Sequence, residues 1–383
     1  MAGGLHHAVP WLESPWVAGV LCASTVLAVA AWVWHARRRS GTRWRRWAGR
    51  GLAGGGVAVL GCLSVLAFVN SYAGYAPSPS SLGPLLFGGH GTAAVTATGE
   101  SSEIRMVDVG AHRLDIPPRP AYVYLPPGYA APANAHRYYP VVYLIHGYPG
   151  GAADWVEAAD LRHTLDALIE ARRIPPVIAV TPDANGGWMH DSECLNQVNG
   201  PQVATYLTGT VVNYTDAHFR ALTGREDRVL GGASSGGYCA LNLGLHHQDE
   251  YSTLLAFEPY GNPGVAARRA LLGGSEALYW DNSPSSYLPS MAFTDRMAVF
   301  TDAGSASPDI DATWGVASQL AARGQAVAFR VEPGQSHTWR EAAVGLPYAL
   351  LFTADRLPPA SRPVTVAVKA HHRRDRDRDD HLR

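Results

Sequence analysis

A glycine-flanked serine is the residue of this sequence best placed to do chemistry. It lies in Gly232-Ala233-Ser234-Ser235-Gly236, a G-x-S-x-G pattern between a strand-like run ending near Leu230 and a helix-like run that reaches residue 247. A strand-to-helix turn that exposes a serine hydroxyl leaves almost no room for neighbouring side chains, and glycine meets that need. The pattern therefore predicts that Ser234 is a nucleophile at the carboxyl edge of a sheet.

A histidine late in the chain is suited to activate this serine. A serine hydroxyl is a poor nucleophile until a base removes its proton. His337 lies in the loop-like segment 333–339 that follows the last predicted strand, and from there it can reach back to Ser234. His246 and His247 fall at the far end of the helix after the serine, and we interpret them as surface residues. We predict that His337 is the base.

Three aspartates follow the strand predicted at 297–301, and any of them could orient the base. Asp302 comes directly after the strand, whereas Asp309 and Asp311 come later. Ser307-Pro308 is typical of a cap and first turn of the next helix, which would place Asp309 at the junction of loop and helix. We favour Asp309 as the triad acid, with Asp302 and Asp311 as open alternatives.

Acyl transfer also requires donors for the developing oxyanion. The backbone N–H after the nucleophile supplies one donor, here that of Ser235. The second comes from a loop after an early strand, and the glycine-rich segment 146–151 fits that description. Pro149 has no N–H, so we predict that the Tyr148 N–H is the second donor.

Alternating strand-like and helix-like segments must position these residues. Val141–Ile145 is a continuous apolar run, as expected of a strand that is buried on both faces. The other predicted strands are 122–125, 176–180, 228–230, 297–300 and 327–331, and helical spacing occurs at 157–172, 203–221 and between the last two strands. This order predicts an α/β fold with a mostly parallel central sheet, occupying residues 101–357.

Two uncharged apolar runs precede this domain, at 16–34 and 51–70, each long enough to cross a bilayer as one helix. Seven arginines lie between them, and the first fifteen residues contain neither Lys nor Arg. Because cationic loops stay on the cytoplasmic side, residues 1–70 are predicted to be a two-helix membrane anchor with the later domain outside the cell. An alternative is a cleaved export signal at 43–76, ending near Ala73 and Ala76.

Composition describes the rest of the chain. Residues 71–100 are rich in Gly, Pro, Ser, Thr and Ala and are predicted to be a flexible linker, and the mixed-charge segment 358–383 is predicted to be a disordered tail. The net charge of -1 gives no reason to expect a nucleic-acid partner. No motif indicates a metal or a cofactor.

The main domain contains two cysteines. Because an exported domain lies in an oxidising compartment, we predict a disulfide between Cys194 and Cys239, both of which should lie near the active edge of the sheet.

Taken together, these segments resemble the putative-esterase family of α/β-hydrolases, which includes esterase D, feruloyl esterases and the antigen 85 mycolyltransferases. The resemblance covers about 101–355 and is carried by residues 123–129, 139–147, 232–241 and 334–339. It implies an α/β-hydrolase fold with Ser234 and His337 as nucleophile and base. The acid loop departs from the family pattern, because Ser307 occupies a position where members often carry Asp.

Three functions are compatible with these residues. The first is a membrane-anchored, extracytoplasmic serine esterase in which water resolves an acyl-enzyme on Ser234. The second, implied by the resemblance to antigen 85, is a cell-envelope acyltransferase that passes the acyl group to a sugar or lipid hydroxyl. The third is a non-catalytic binding module, which the presence of both Ser234 and His337 disfavours. The partners expected are an ester or acyl-donor substrate and a lipid bilayer.

Overall fold

The computed structural model describes residues 15–38, 43–74, 101–187 and 189–361. The predicted linker at 71–100 and the charged tail at 358–383 therefore lie mostly outside the described residues. Within these ranges the chain forms an apolar helical hairpin followed by an α/β domain. The domain begins with a strand at Glu103 and its last helix ends at Phe352.

Two long helices, α1 (Pro15–Arg38) and α2 (Arg43–Ala73), form the hairpin. They pack antiparallel: the Thr25 and Ser64 hydroxyls hydrogen-bond at 2.8 Å, and Gly54 lies under the ring of Trp32. Each helix contains a stretch apolar and long enough to cross a membrane, Trp16–His35 and Ala53–Ser71, and only 6% of either stretch is buried. The outward faces of the hairpin thus expose apolar side chains, unlike the core helices of a soluble protein.

Eight strands form one twisted sheet within the described residues, in the order β1-β2-β4-β3-β5-β6-β7-β8. The strands are β1 Glu103–Ala111, β2 Ile116–Leu125, β3 Val141–Ile145, β4 Ile178–Pro182, β5 Arg228–Ala233, β6 Thr253–Phe257, β7 Ala298–Gly304 and β8 Ala326–Glu332. The pairs β1–β2 and β2–β4 are antiparallel, and all later pairs are parallel. The sheet is therefore mostly parallel, as predicted. β1 and β6 have no counterpart among the strands predicted from the sequence.

Helices cover both faces of this sheet. After the hairpin they are α3 Asp154–Glu157, α4 Leu161–Glu170, α5 Val203–Thr205, α6 Val212–His218, α7 Ser235–His246, α8 Gly264–Ala270, α9 Glu276–Asp281, α10 Pro284–Tyr287, α11 Ile310–Ala322 and α12 Trp339–Phe352. A π-helical segment, Tyr206–Val211, joins α5 to α6, so the helix predicted at 203–221 is continuous only to residue 218.

Strand β3 shows how the sheet separates two cores. Val141, Tyr143 and Ile145 belong to the hydrophobic cluster on one face, and Val142 and Leu144 belong to the cluster on the other face. All five are at most 2% exposed. Successive side chains of a strand point to opposite faces, so a strand covered on both sides must be apolar throughout. This burial explains the continuous apolar run in the sequence.

Candidate active site

Ser234 occupies a strained turn between β5 and α7. Its φ and ψ are 58° and −121°, in a region that non-glycine residues rarely adopt. The turn is possible because glycines flank it: a side chain at Gly232 would overlap the Gly236 carbonyl oxygen, and one at Gly236 would overlap the Ile145 carbonyl oxygen. The backbone segments therefore pack closely around this turn. Ser234 lies at the carboxyl edge of the sheet, directly before the N-terminus of α7.

His337 lies in the connection between β8 and α12, and its side chain is 18% exposed. The residues that follow it fix this connection. The Thr338 hydroxyl accepts a hydrogen bond from the Glu341 N–H and caps α12. The ring of Trp339 packs edge-on against Trp155, with ring centroids 5.2 Å apart. The loop of His337 is thus held in place by a helix cap and by an aromatic contact in the core, and both His337 and Ser234 line one cavity.

Asp309 is the aspartate that contacts the histidine. Its Oδ2 atom lies 2.8 Å from Nδ1 of His337, and this hydrogen bond lowers the pKa of Asp309 below its usual value. Asp309 is the N-terminal cap residue of α11, which begins at Ile310. The interpretation of Ser307-Pro308 as the cap and first turn was therefore wrong. The Ser307 hydroxyl instead accepts a hydrogen bond from the Asp309 N–H at 3.1 Å, within the loop.

The two alternative aspartates are directed elsewhere. Asp311 is exposed in the first turn of α11. Asp302 lies within β7, is fully buried, and points toward Gly345 of α12, with Nε of Arg330 3.9 Å from its Oδ2. Burial raises the pKa of Asp302 to about 9, and the neighbouring Glu332 carboxylate adds to this effect. In that environment the Asp302 carboxyl group is protonated and neutral at pH 7, unlike the carboxylate that would orient a histidine.

A second carboxylate, not predicted from the sequence, lies beside the histidine. Glu258 follows β6 directly, and its side chain is 2% exposed, with Oε2 3.9 Å from Nδ1 of His337. Its two oxygens accept hydrogen bonds from the Gly304 N–H at 2.8 Å and the Ser307 hydroxyl at 2.5 Å. Burial raises the pKa of Glu258. The strand before it was not predicted, so its position at the sheet edge gave no signal in the sequence.

The predicted oxyanion loop lies against Ser234. A side chain at Gly147 would come within 3.1 Å of the Ala233 carbonyl oxygen and 3.2 Å of Cβ of Ser234, so glycine leaves room for this close approach. His146 is buried and anchors the loop. The Ala184 N–H donates to its Nε2 at 3.1 Å, and Nδ1 therefore carries the hydrogen and donates to the Gly147 carbonyl oxygen at 2.8 Å. This contact holds the backbone leading to Tyr148 beside Ser234.

A cavity of about 430 Å³ joins these groups. Ser234, His337, Asp309 and Tyr148 line it, and we call it the catalytic cavity. Its size is within the range of small-molecule sites. Among the residues that the structure describes, no cluster of three or more His, Cys, Asp or Glu side chains is arranged to hold a metal ion.

The loop after β4 is tied to α7 by a disulfide between Cys194 and Cys239, whose Cα atoms are 5.7 Å apart. Glu193, next to the bridge, accepts hydrogen bonds from the Tyr260 hydroxyl at 2.9 and 2.7 Å. Burial and the nearby Asp191 carboxylate raise the pKa of Glu193 to about 8. Because Tyr260 also lines the catalytic cavity, the bridged loop forms part of its support.

Comparison with protein families and solved structures shows which proteins the chain resembles. A family model described as Putative esterase matches residues 117–343. The chain is 28% identical over 174 residues to an uncharacterized protein of Corynebacterium glutamicum, a match covering 44% of this chain and 40% of that protein. It is 26% identical over 115 residues to an acetyl esterase of Caldicellulosiruptor saccharolyticus, covering 30% of this chain and 39% of the relative. The chain thus spans about two fifths of the length of these curated relatives.

Solved structures resemble the α/β domain more completely. A ferulic acid esterase superposes with a TM-score of 0.60 at 23% identity, covering 67% of this chain and all of that one. An S-formylglutathione hydrolase from Agrobacterium tumefaciens gives 0.55 at 19% identity, covering 68% of this chain and 97% of the other. These matches confirm the predicted α/β-hydrolase-like fold.

Proposed function

Because the chain belongs to the putative esterase family, we propose that it is a serine ester hydrolase acting through an acyl-enzyme on Ser234. The observation that carries the proposal is the 2.8 Å contact between Nδ1 of His337 and Oδ2 of Asp309, in a cavity that Ser234 also lines. A nucleophile, a base and an orienting acid on separate loops at one sheet edge form the arrangement that ester hydrolysis needs.

In the acylation step, the hydroxyl oxygen of Ser234 attacks the ester carbonyl carbon, and its proton passes to Nε2 of His337. Because Nδ1–H of the ring donates to Asp309, Nε2 is the unprotonated nitrogen that can accept this proton. The Asp309 carboxylate then stabilises the imidazolium that forms. The alcohol leaves with the proton from His337, and the acyl group stays on Ser234 as an ester.

In the deacylation step, water replaces the alcohol as the nucleophile. His337 removes a proton from the water as it attacks the acyl carbon, and returns that proton to Ser234 as the carboxylic acid leaves. In both steps the carbonyl oxygen becomes negatively charged. We assign its stabilisation to the backbone N–H groups of Ser235 and Tyr148, helped by the positive N-terminal end of the α7 dipole.

We further propose that α1 and α2 span a membrane and hold the α/β domain on its outer side. The exposed apolar faces of the hairpin support the spans, and the arginines between the two apolar stretches support the orientation. With single cysteines introduced in intact cells, a thiol reagent that does not cross membranes should label His90→Cys and spare Thr42→Cys. Labelling of Thr42→Cys alone would invert the topology, and release of a soluble form cleaved near Ala76 would favour an export signal.

Labelling with a fluorophosphonate tests the catalytic proposal. We expect one adduct, on Ser234, and hydrolysis of p-nitrophenyl butyrate that Ser234→Ala and His337→Ala both abolish. Removal of either residue should cost about as much as removal of both, because the pair acts as a unit. An adduct on Ser235, or undiminished labelling of the Ser234→Ala variant, would overturn the assignment.

A further inference from the structure

The catalytic cavity has an unexpected wall, because the end of the second apolar helix lines it. Phe68 and Val69 of α2 border the same cavity as Ser234 and His337. The helix ends at Ala73, and Gly74 follows with a φ of 69° and donates its N–H to the Asn70 carbonyl oxygen at 2.8 Å. A glycine in this conformation is a usual way to stop a helix.

The helix end also contacts the segment that carries the base. Gly74 is buried, and a side chain there would come within 3.1 Å of Cβ of Thr338 and 3.4 Å of the backbone nitrogen of Arg340. Thr338 follows His337 directly and caps α12. The left-handed φ favours glycine at this position, and the close approach leaves little room for a side chain. The end of α2 is therefore docked onto the loop of the catalytic histidine.

The position of Phe68 along α2 shows where the cavity lies along the apolar stretch of this helix. Ala53–Ser71 has a mean hydropathy of 1.8, and its 19 residues extend about 28 Å at 1.5 Å per residue, close to the thickness of a hydrocarbon layer. Phe68 is 63% exposed and lies in the last turn of this stretch. Exposed apolar side chains therefore occur along this helix up to the cavity wall, among them Leu63 and Leu66.

We propose that the substrate is a long-chain lipid ester dissolved in the same membrane, whose acyl chain enters the cavity along Phe68 and Val69. This inference rests on the proposed function and names its substrate class. An acyl chain that moves from the bilayer to Ser234 along this wall stays in apolar surroundings, which avoids the free-energy cost of exposing its methylene groups to water. The ester group then meets the nucleophile where the apolar stretch ends.

The test uses the full chain reconstituted in phosphatidylcholine vesicles. Turnover of p-nitrophenyl palmitate dissolved in the bilayer is compared with turnover of water-soluble p-nitrophenyl butyrate. Phe68→Ala should lower the ratio of the two kcat/KM values, palmitate over butyrate, about tenfold, the order expected when an apolar contact to a substrate chain is lost. The matched control is Leu66→Ala, because Leu66 is 54% exposed on the same helix and does not line the cavity. Its ratio should equal that of the wild type.

An unchanged ratio in Phe68→Ala, or an equal fall in Leu66→Ala, would overturn the lipid route and show that α2 is only a tether. Hydrolysis of butyrate in every variant separates that outcome from a failure of the catalytic proposal. A wild-type chain that neither hydrolyses butyrate nor is labelled on Ser234 would overturn the proposed function, and this inference with it.

Discussion

Nδ1 of His337 lies 2.8 Å from Asp309 and 3.9 Å from Glu258, so two carboxylates face the same imidazole nitrogen. They arrive from different strands: Glu258 follows β6, and Asp309 comes after β7. The Ser307 hydroxyl connects them, because it donates to Glu258 and accepts from the Asp309 N–H. The two acids therefore have different tasks. Asp309 holds the ring, and Glu258 holds the loop on which Asp309 lies.

Replacement of Asp309 by Asn should reduce kcat by about three to four orders of magnitude, the loss typical when a triad carboxylate no longer fixes the histidine tautomer. The measurement is steady-state hydrolysis of p-nitrophenyl butyrate. Asp311→Asn is the matched control, because Asp311 is exposed on the same helix, and it should keep wild-type turnover. Wild-type turnover in Asp309→Asn would show that another acid orients His337.

Glu258 is expected to act as a positioning residue. In Glu258→Gln one oxygen becomes an amide group, so either Gly304 or Ser307 loses its acceptor and the loop of Asp309 shifts. We expect kcat to fall by about ten- to a hundredfold with KM nearly unchanged. The acidic limb of the pH–rate profile should also move to lower pH, because a negative charge near the imidazolium is removed. A purely structural role would lower the melting temperature and leave the pH profile unmoved.

Asp302 should make the protein less stable as pH rises. An unfolded aspartate loses its proton near pH 3.9, whereas burial keeps Asp302 protonated in the folded state up to about pH 9. Between these values the folded state binds more protons, so the free energy of unfolding falls with increasing pH. Thermal unfolding at pH 5.5 and 8.5 should show this decline in the wild type and a weaker one in Asp302→Asn, which should retain turnover. An equally steep decline in the variant would contradict the assignment.

The bridge between Cys194 and Cys239 should stabilise the α/β domain. It links residues 45 positions apart, and closing a loop of that length in the unfolded chain is worth about 2–4 kcal/mol. The free energy of unfolding of the Cys194→Ala/Cys239→Ala double variant, measured by denaturant unfolding, should be lower by about that amount. Its KM should rise, because the loop beside Glu193 supports Tyr260 in the cavity. Mass spectrometry of the non-reduced, alkylated protein provides the direct check, and two free thiols at these positions would exclude the bridge.

The glycines of the turn at Ser234 should be irreplaceable. Gly236→Ala would place a methyl group on the Ile145 carbonyl oxygen, so we expect it to abolish labelling of Ser234. Gly315→Ala in α11 is the matched control, because a side chain there meets nothing within 4 Å. That variant should keep its activity. Its free energy of unfolding should increase by up to about 1 kcal/mol, because alanine has a higher helix propensity than glycine. Normal labelling of Gly236→Ala would show that the turn is less tightly packed than the structure indicates.

The sequence by itself determined the features that depend on neighbouring residues. The tight turn at Ser234 requires adjacent glycines, and the two-sided burial of β3 requires an unbroken apolar run, so both are visible in short segments. The apolar stretches of α1 and α2 are visible for the same reason. β1 escaped detection because its burial is mixed and about half of its residues are polar or glycine. β6 is a five-residue apolar run, too short for its periodicity to separate a strand from a buried helix.

Only the tertiary structure decided which distant residues meet. Three aspartates lie within ten residues, Asp302 in β7 and the other two after it. The path of the chain into α11 brings Asp309, not its neighbours, to His337. Glu258 reaches the same nitrogen from the adjacent strand, and the end of α2 reaches the cavity from more than 160 positions before Ser234. Such contacts depend on the order of strands in the sheet and on the packing of loops at its edge. Local propensity carries no information about either, because it is set by each residue and its neighbours along the chain.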